Sequence, residues 1–221
     1  MLRVVTPPTP IVSPSDLSGG YAADDARALG VIAAVTEMID GPTSWLGRAI
    51  GPQTLELSLE SWHTRHHHHH WHSHPHSIFL PCPPIIAVES VVYLDLNGDT
   101  QTIDPTNYAV TDNLLWFKPG WTMPTFGCFP DPLRVQYKAG YNGTSGAAAG
   151  EQQTGDIPAR VKQAIILTAQ HMLNTASENL FLSVDEVDGV GRQQYVVSDL
   201  ARQTIETTCD RLLAGLRVYA A

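Results

Sequence analysis

Gly51-Pro52-Gln53-Thr54-Leu55-Glu56-Leu57 opens the part of the chain that decides its fold, and Val135-Gln136-Tyr137-Lys138-Ala139-Gly140-Tyr141 closes it. From Thr54 the apolar positions recur at every second residue: Leu55, Leu57 and Leu59 alternate with Glu56, Ser58 and Glu60. That period turns one set of side chains to a core and the other to solvent, as in a half-buried strand. Further short strands are predicted at 78–80, 86–94, 101–103, 108–110, 114–117 and 133–137. Asn97-Gly98 supplies a tight-turn signal, because both residues tolerate the positive φ that a hairpin turn requires. Short strands joined by turns predict a small antiparallel sheet or sandwich. Pro81, Pro83 and Pro84 lack backbone donors, which predicts a sheet edge for their segment.

Helical signals flank this region. Asp24-Asp25 opens a helix with acidic residues at its positive end. Leu29, Ile32, Thr36 and Ile39 mark one apolar face, with Val31, Val35 and Met38 as a stripe beside it. Gly41-Pro42 ends that helix, and a shorter one is predicted at 43–50. Asp156 and Pro158 start a second long helix, with Val161, Ile165, Thr168 and Met172 along its face. Ser198 or Asp199 caps the last, whose apolar face is Ile205, Cys209, Leu212 and Leu216. The class is therefore α+β: N-terminal helices, a central antiparallel β-sheet or sandwich with a long hairpin, and C-terminal helices. The expected organisation is an extended proline-rich arm at 1–22, with one short strand at 2–5, and a folded domain at 23–221. Within that domain 23–51 is helical, 52–141 is β-rich with a His-rich hairpin tip at 63–76, 142–156 is a flexible loop, and 157–221 is helical.

At 221 residues the chain can bury a sizeable core, and 43% hydrophobic content argues against wholesale disorder. Charged residues are only 16%, which fits either an exterior covered by partners or a surface rich in neutral polar residues. Thirteen Lys and Arg stand against 22 Asp and Glu, a formal charge of −9, with no basic cluster. Tight binding to nucleic acid needs a basic face and is not expected. An acidic wall past which DNA slides is compatible with this charge. Cys82, Cys128 and Cys209 are odd in number and far apart, which predicts free thiols rather than a disulfide scaffold or a cysteine-only zinc site. The N-terminal residues do not read as a secretory signal, and no apolar run is long enough to span a membrane.

The chain carries no GxSxG elbow, HExxH, Walker loop or GxGxxG, so no enzyme is expected. Asp185, Glu186 and Asp188 lie close in sequence but read as a solvated surface turn. Nine of the ten histidines fall between His63 and His76, including the run His66-His67-His68-His69-His70-Trp71-His72. Imidazoles bind transition metals, yet a run of consecutive histidines brings neither fixed geometry nor supporting ligands. An expression tag would sit at a terminus, whereas this tract lies between two strands. The favoured reading is an exposed polar hairpin tip; an interaction tip and a metal site are the other two. The tip would carry little charge at neutral pH and gain positive charge on acidification. No metal or cofactor is expected.

The order of motifs resembles one family, the head–tail connector (adaptor) proteins of long-tailed phages and gene transfer agents. The resemblance rests on Leu46-Gly47-Arg48-Ala49-Ile50-Gly51-Pro52-Gln53-Thr54-Leu55-Glu56-Leu57, then Leu80-Pro81-Cys82-Pro83-Pro84-Ile85, then Ser90-Val91-Val92-Tyr93. It continues through Asn97-Gly98, Thr102-Ile103-Asp104-Pro105-Thr106-Asn107-Tyr108, Ala139-Gly140-Tyr141 and the helix opened by Ile157-Pro158. It spans about residues 24–175 and weakens beyond. Cys82 stands where the family commonly has Arg, and the His-rich insertion and the 142–156 loop are long. The resemblance implies a ring-forming subunit, usually a dodecamer, that docks under the portal protein. Such a ring connects the capsid to the stopper and tail-terminator side of the neck, passes DNA through its lumen and performs no chemistry. The implied location is the virion neck, after synthesis in the bacterial host cytoplasm. Within that frame Leu212, Leu213, Leu216, Arg217, Val218 and Tyr219 are expected to carry the portal contact. Their apolarity exceeds what a free terminus needs. His66, His67, His68, His69, His70, Trp71 and His72 are expected to meet the next neck component. The alternative is a β-rich virion binding module with the His-rich loop as a receptor- or metal-binding tip.

Overall fold

The computed structural model describes residues 1–62, 77–145, 147–177, 184–187, 191–194 and 199–218. Elements follow in the order β1 (Leu2–Thr6), α1 (Ala26–Ile39), β2 (Gln53–Leu59), β3 (Ser77–Phe79), β4 (Ile85–Leu94), β5 (Thr100–Thr102), β6 (Tyr108–Thr111) and β7 (Leu114–Phe117). Then come β8 (Leu133–Ala139), α2 (Ala159–Ser177), β9 (Val184–Val187), β10 (Gly191–Gln194) and α3 (Asp199–Ala214). The fold is α+β. Two compact units divide the chain: a β-unit of residues 1–9, 39–157 and 217–221, and a helical unit of residues 10–38 and 158–216.

The β-unit holds an antiparallel sheet in the order β1-β2-β8-β4-β5 and a second in the order β3-β7-β6. The alternation in the sequence becomes burial directly. Leu133, Val135, Tyr137 and Ala139 of β8 are buried, while the residues between them are half-exposed. Leu55, Leu57 and Val91 join them from the same sheet, and Ile78, Leu115 and Phe117 from the other, in one core. Trp62 is its aromatic hub, with ring centroids 5.5–6.1 Å from those of Phe126, Phe117, Trp121 and Tyr93. Its Nε1 donates to Pro124 O at 2.9 Å, so the polar edge of the ring is satisfied inside the cluster.

Two expectations about this unit change, and a third is refined. The strands flanking the His-rich segment, β2 and β3, pair in different sheets, so the segment joins two sheets and is not the tip of a β-hairpin. The segment itself, residues 63–76, lies outside the described residues. Residues 43–50 form successive turns and no helix. Gly41 and Gly47 take φ of +94° and +62°, which reverse the chain where a helix would need to continue. Pro81, Pro83 and Pro84 lead into the start of β4, which pairs there with β8 alone because β5 joins β4 only at Val92–Leu94, so their segment meets the sheet on an open side. A missing donor costs nothing there, because these residues offer carbonyls: Pro81 O accepts from Tyr137 Oη, Pro83 O from Ala49 N and Pro84 O from Gly140 N.

In the helical unit, Asp25 caps α1 by accepting from Ala28 N at 2.9 Å. The buried stripe of α1 in this unit is Ala28, Ile32, Val35 and Thr36. Leu29 and Met38 point outward instead, Met38 with 61% of its surface exposed. The small Ala28 occupies the close-packed position that the longer Leu29 was expected to fill. On α2 the buried face is Val161, Ala164, Ile165, Ala169 and Leu173, and Met172 is exposed. Cys209 of α3 packs on α2, its Sγ 3.3 Å from Thr168 Oγ1. Val12 and Leu17, within the expected N-terminal arm, are buried core residues.

Candidate interaction sites

Three of the motif stretches, 47–53, 83–84 and 139–141, meet at one buried junction in the β-unit. Its centre is Asp40, directly after α1 and only 7% exposed. Asp40 Oδ1 accepts from Ile50 N and from Gln53 Nε2, both at 2.7 Å, and Oδ2 accepts from Gly51 N at 2.9 Å. Burial pushes this carboxyl above its usual range, against the opposing pull of the donated bonds. Gly41 N donates to Arg48 O, and Tyr141 N donates to Ile50 O. Arg48 Nη1 reaches Tyr141 Oη at 3.2 Å. Gly140 has φ of +121°, and a Cβ there would strike the Gly51 backbone and stand 2.8 Å from Pro52 N. Only glycine lets the end of β8 pass so close to the start of β2. Gly47-Arg48, Gln53, Pro83-Pro84 and Ala139-Gly140-Tyr141 are thus parts of one architectural knot.

The knot offers no reactive group. Cys82, beside it in sequence to Pro83, is buried with its thiol pushed up to about 11 by desolvation and the nearby Asp40 charge, so it is held as an inert thiol near neutral pH. Tyr137 is fully buried, and its hydroxyl, donated to Pro81 O at 2.8 Å, is driven well above the ordinary tyrosine range. An open cleft of about 320 Å³ lies nearby, lined by Pro83, Pro84, Ile85, Asp112, Asn113, Gln152, Gln153 and Thr154. It presents one carboxylate and neutral amides, with no nucleophile–base pair. No group of three or more His, Cys, Asp or Glu among the described residues is arranged to hold a metal ion. No helix among them is long and apolar enough to cross a membrane.

The C-terminal residues separate into two roles. Leu213 and Leu216, which belong to the helical unit, are buried. Their burial absorbs part of the apolarity that the sequence left over. Leu212 and Val218 are partly buried and Arg217 is exposed. Val218 N donates to Leu46 O at 2.8 Å, and the Arg217 guanidinium stands 5.8 Å from the centroid of the partly exposed Trp45 ring. The tail therefore lies on the 43–50 turns and presents a cation over an indole. Tyr219 and the 66–72 tract fall outside the described residues.

The stretch 142–156, expected as a flexible loop, is tied down over its described residues. Asn142 Nδ2 donates to Gln152 O, Thr154 N donates to Asn142 Oδ1, and Thr154 Oγ1 donates to Gly140 O. Gln152 N donates to Ile86 O at 2.7 Å. Its Asn142 and Thr154 side chains and the Gln152 backbone replace the apolar anchors whose lack suggested mobility.

Solved structures share this fold along almost its whole length. A chain in the virion of a native gene transfer agent (GTA) particle superposes with a TM-score of 0.59 at 17% identity, over 99% of this chain and 96% of that one. A chain in the neck of an empty GTA particle, computed with C6 symmetry, gives the same values. One in the neck of a native GTA particle, computed with C12 symmetry, gives a TM-score of 0.55 at 16% identity and the same coverage. At these identities the likeness is one of fold. No protein-family model and no curated protein matches the chain.

Proposed function

We propose that this chain is a structural head–tail adaptor of a virion neck. In this reading copies form a ring beneath the portal, joining the DNA-filled capsid to the stopper and tail side and letting DNA pass. The observation that carries it is the correspondence of fold over 99% of the chain with chains from GTA virion and neck structures. The motif order along residues 24–175 supports the same family. Cyclic symmetry in the neighbouring necks makes a ring of subunits the natural assembly, with head-to-tail contacts that close by rotation. A formal charge of −9 suits a channel wall that repels phosphates instead of gripping them. The protein performs no catalysis in this reading; its work is to be a stable coaxial joint.

The portal contact is assigned to the tail: Leu212, Arg217, Val218 and Tyr219 face the portal, with Leu213 and Leu216 anchoring the helix that carries them. The His66–Trp71–His72 tract meets the next neck component. Truncation after Leu216 tests the first assignment, because it spares the buried leucines. The shortened subunit is expected to stay folded by circular dichroism and to lose co-sedimentation with the portal protein of the same particle. Undiminished co-sedimentation would overturn the assignment of the tail.

A further inference from the structure

Among the described residues the five-stranded sheet ends in two open edges, β1 and β5, and their backbone groups match each other. On β1, Met1 and Ser58 exchange both bonds, Met1 N to Ser58 O at 2.7 Å and Ser58 N to Met1 O at 2.8 Å. Hydrogen-bonded pairs alternate along an antiparallel ladder, so Arg3, opposite Glu56, is the next inward residue. Leu2 and Val4 therefore turn their N–H and C=O groups away from the sheet. The register shifts between Val4 and Thr6, which confines the regular free edge to residues 2–4.

The same argument applies to β5. Asp95 N donates to Asp99 O, and Ile103 N donates to Val91 O. Between these two pairs Gln101, opposite Tyr93, faces inward, so Thr100 and Thr102 face outward. Thr100, Gln101 and Thr102 are exposed, and so is Val4, at 42%. No proline or lysine guards residues 2–4 or 100–102. Arg3 and the register shift after Val4 blunt the β1 edge, while the β5 edge carries no charge or bulge and is limited only by its short length.

Both edge strands also run in the same direction, because every neighbouring pair in the five-strand order is antiparallel. A rotation that carries one copy to the next therefore sets β1 of one beside β5 of the other as a parallel pair. In a parallel pair one residue bonds the two residues flanking its opposite number. Val4 fits opposite Gln101: Val4 N–H donates to Thr100 O of the next copy, and Thr102 N–H of that copy donates to Val4 O. We infer that β1 of each subunit adds to the β5 edge of its neighbour, continuing the five-stranded sheet from copy to copy. This contact is heterologous and repeats, as a ring requires. It rests on the reading of a cyclic assembly.

Proline at position 4 or 102 removes an outward donor and leaves the inward bonds of β1 and β5 in place. Val4→Pro and Thr102→Pro are expected to keep their thermal transition and to self-associate about tenfold more weakly per junction, as judged by native mass spectrometry. In a Cys128→Ser background, Val4→Cys with Gln101→Cys is expected to give a ladder of oxidised oligomers that neither single variant gives. If the wild type forms rings while both prolines assemble as readily and the double cysteine gives no ladder, the edge contact is wrong and the ring reading stands. Closed dimers from Val4→Cys alone would mean a two-fold β1–β1 contact and would also overturn it. A wild type that stays monomeric both in solution and with its portal would remove the cyclic reading and this contact together.

Discussion

Replacing Asp40 with alanine should be the most damaging single truncation in the 40–53 turns. The carboxylate accepts three bonds in a site 7% exposed, and alanine leaves Ile50 N, Gly51 N and Gln53 Nε2 without that acceptor. An orphaned buried donor costs about 1–3 kcal/mol, so three would cost on the order of 3–9. Two effects reduce the sum: the Gln53 side chain can swing to another partner, and the penalty for burying the charge disappears with it. A net loss of about 3 kcal/mol is expected, which for a chain of this size lowers the Tm by roughly 6–12 °C. Urea unfolding followed by tryptophan fluorescence measures it, since Trp62 sits in the core of the same unit. Asp40→Asn keeps the volume and one acceptor oxygen and should lose about 1 kcal/mol. The sign of the pH dependence follows from the raised carboxyl. Its contribution is fully present below the unfolded pKa of about 3.9 and is lost as pH rises through the higher folded value. The advantage of the wild type over Asp40→Asn should therefore be larger at pH 4 than at pH 7. An alanine variant within about 0.5 kcal/mol of the wild type, at unchanged m-value, would refute the idea that Asp40 organises these turns.

Gly140→Ala should cost about 3 kcal/mol or more and reduce soluble yield, because the new Cβ meets Gly51 and Pro52 at a φ of +121°; a normal melting curve would contradict it. Iodoacetamide at pH 8 should label exposed Cys128 quickly, and Cys82, buried with its thiol near 11, only after urea is added. Equal labelling of the two in the folded protein, read by peptide mass spectrometry, would show that Cys82 is not enclosed.

Period-two patterning was enough to locate β2 and β8, because their buried face alternates with a less buried one over a local stretch. Pairing was not local, and so not legible. β2 bonds to β1 and β8, far away in sequence on either side, and the nearby β3 belongs to the other sheet. The same limit explains 43–50: its ordering acceptor, Asp40, and its partners Pro83 and Tyr141 lie outside the window that suggested a helix. On α1 the pattern was read one position off at Leu29, since Ala28 gives little hydrophobic signal although it is fully buried. The motifs that resemble the adaptor family were visible, but their purpose was not. Those at 47–53, 83–84 and 139–141 build the Asp40–Gly140 junction. The surplus apolarity of the C-terminus was also visible, while its division between the buried Leu213 and Leu216 and the outlying Arg217 required the packed helices. Outward backbone groups on β1 and β5 have no side-chain signature at all.

A reconstruction of the neck of the particle that carries this chain tests the central claim most directly. The account predicts a closed ring of copies, coaxial with the portal and lying between it and the tail, with an open channel for DNA. A neck that lacks the chain, or holds it only as isolated single copies, would contradict the account.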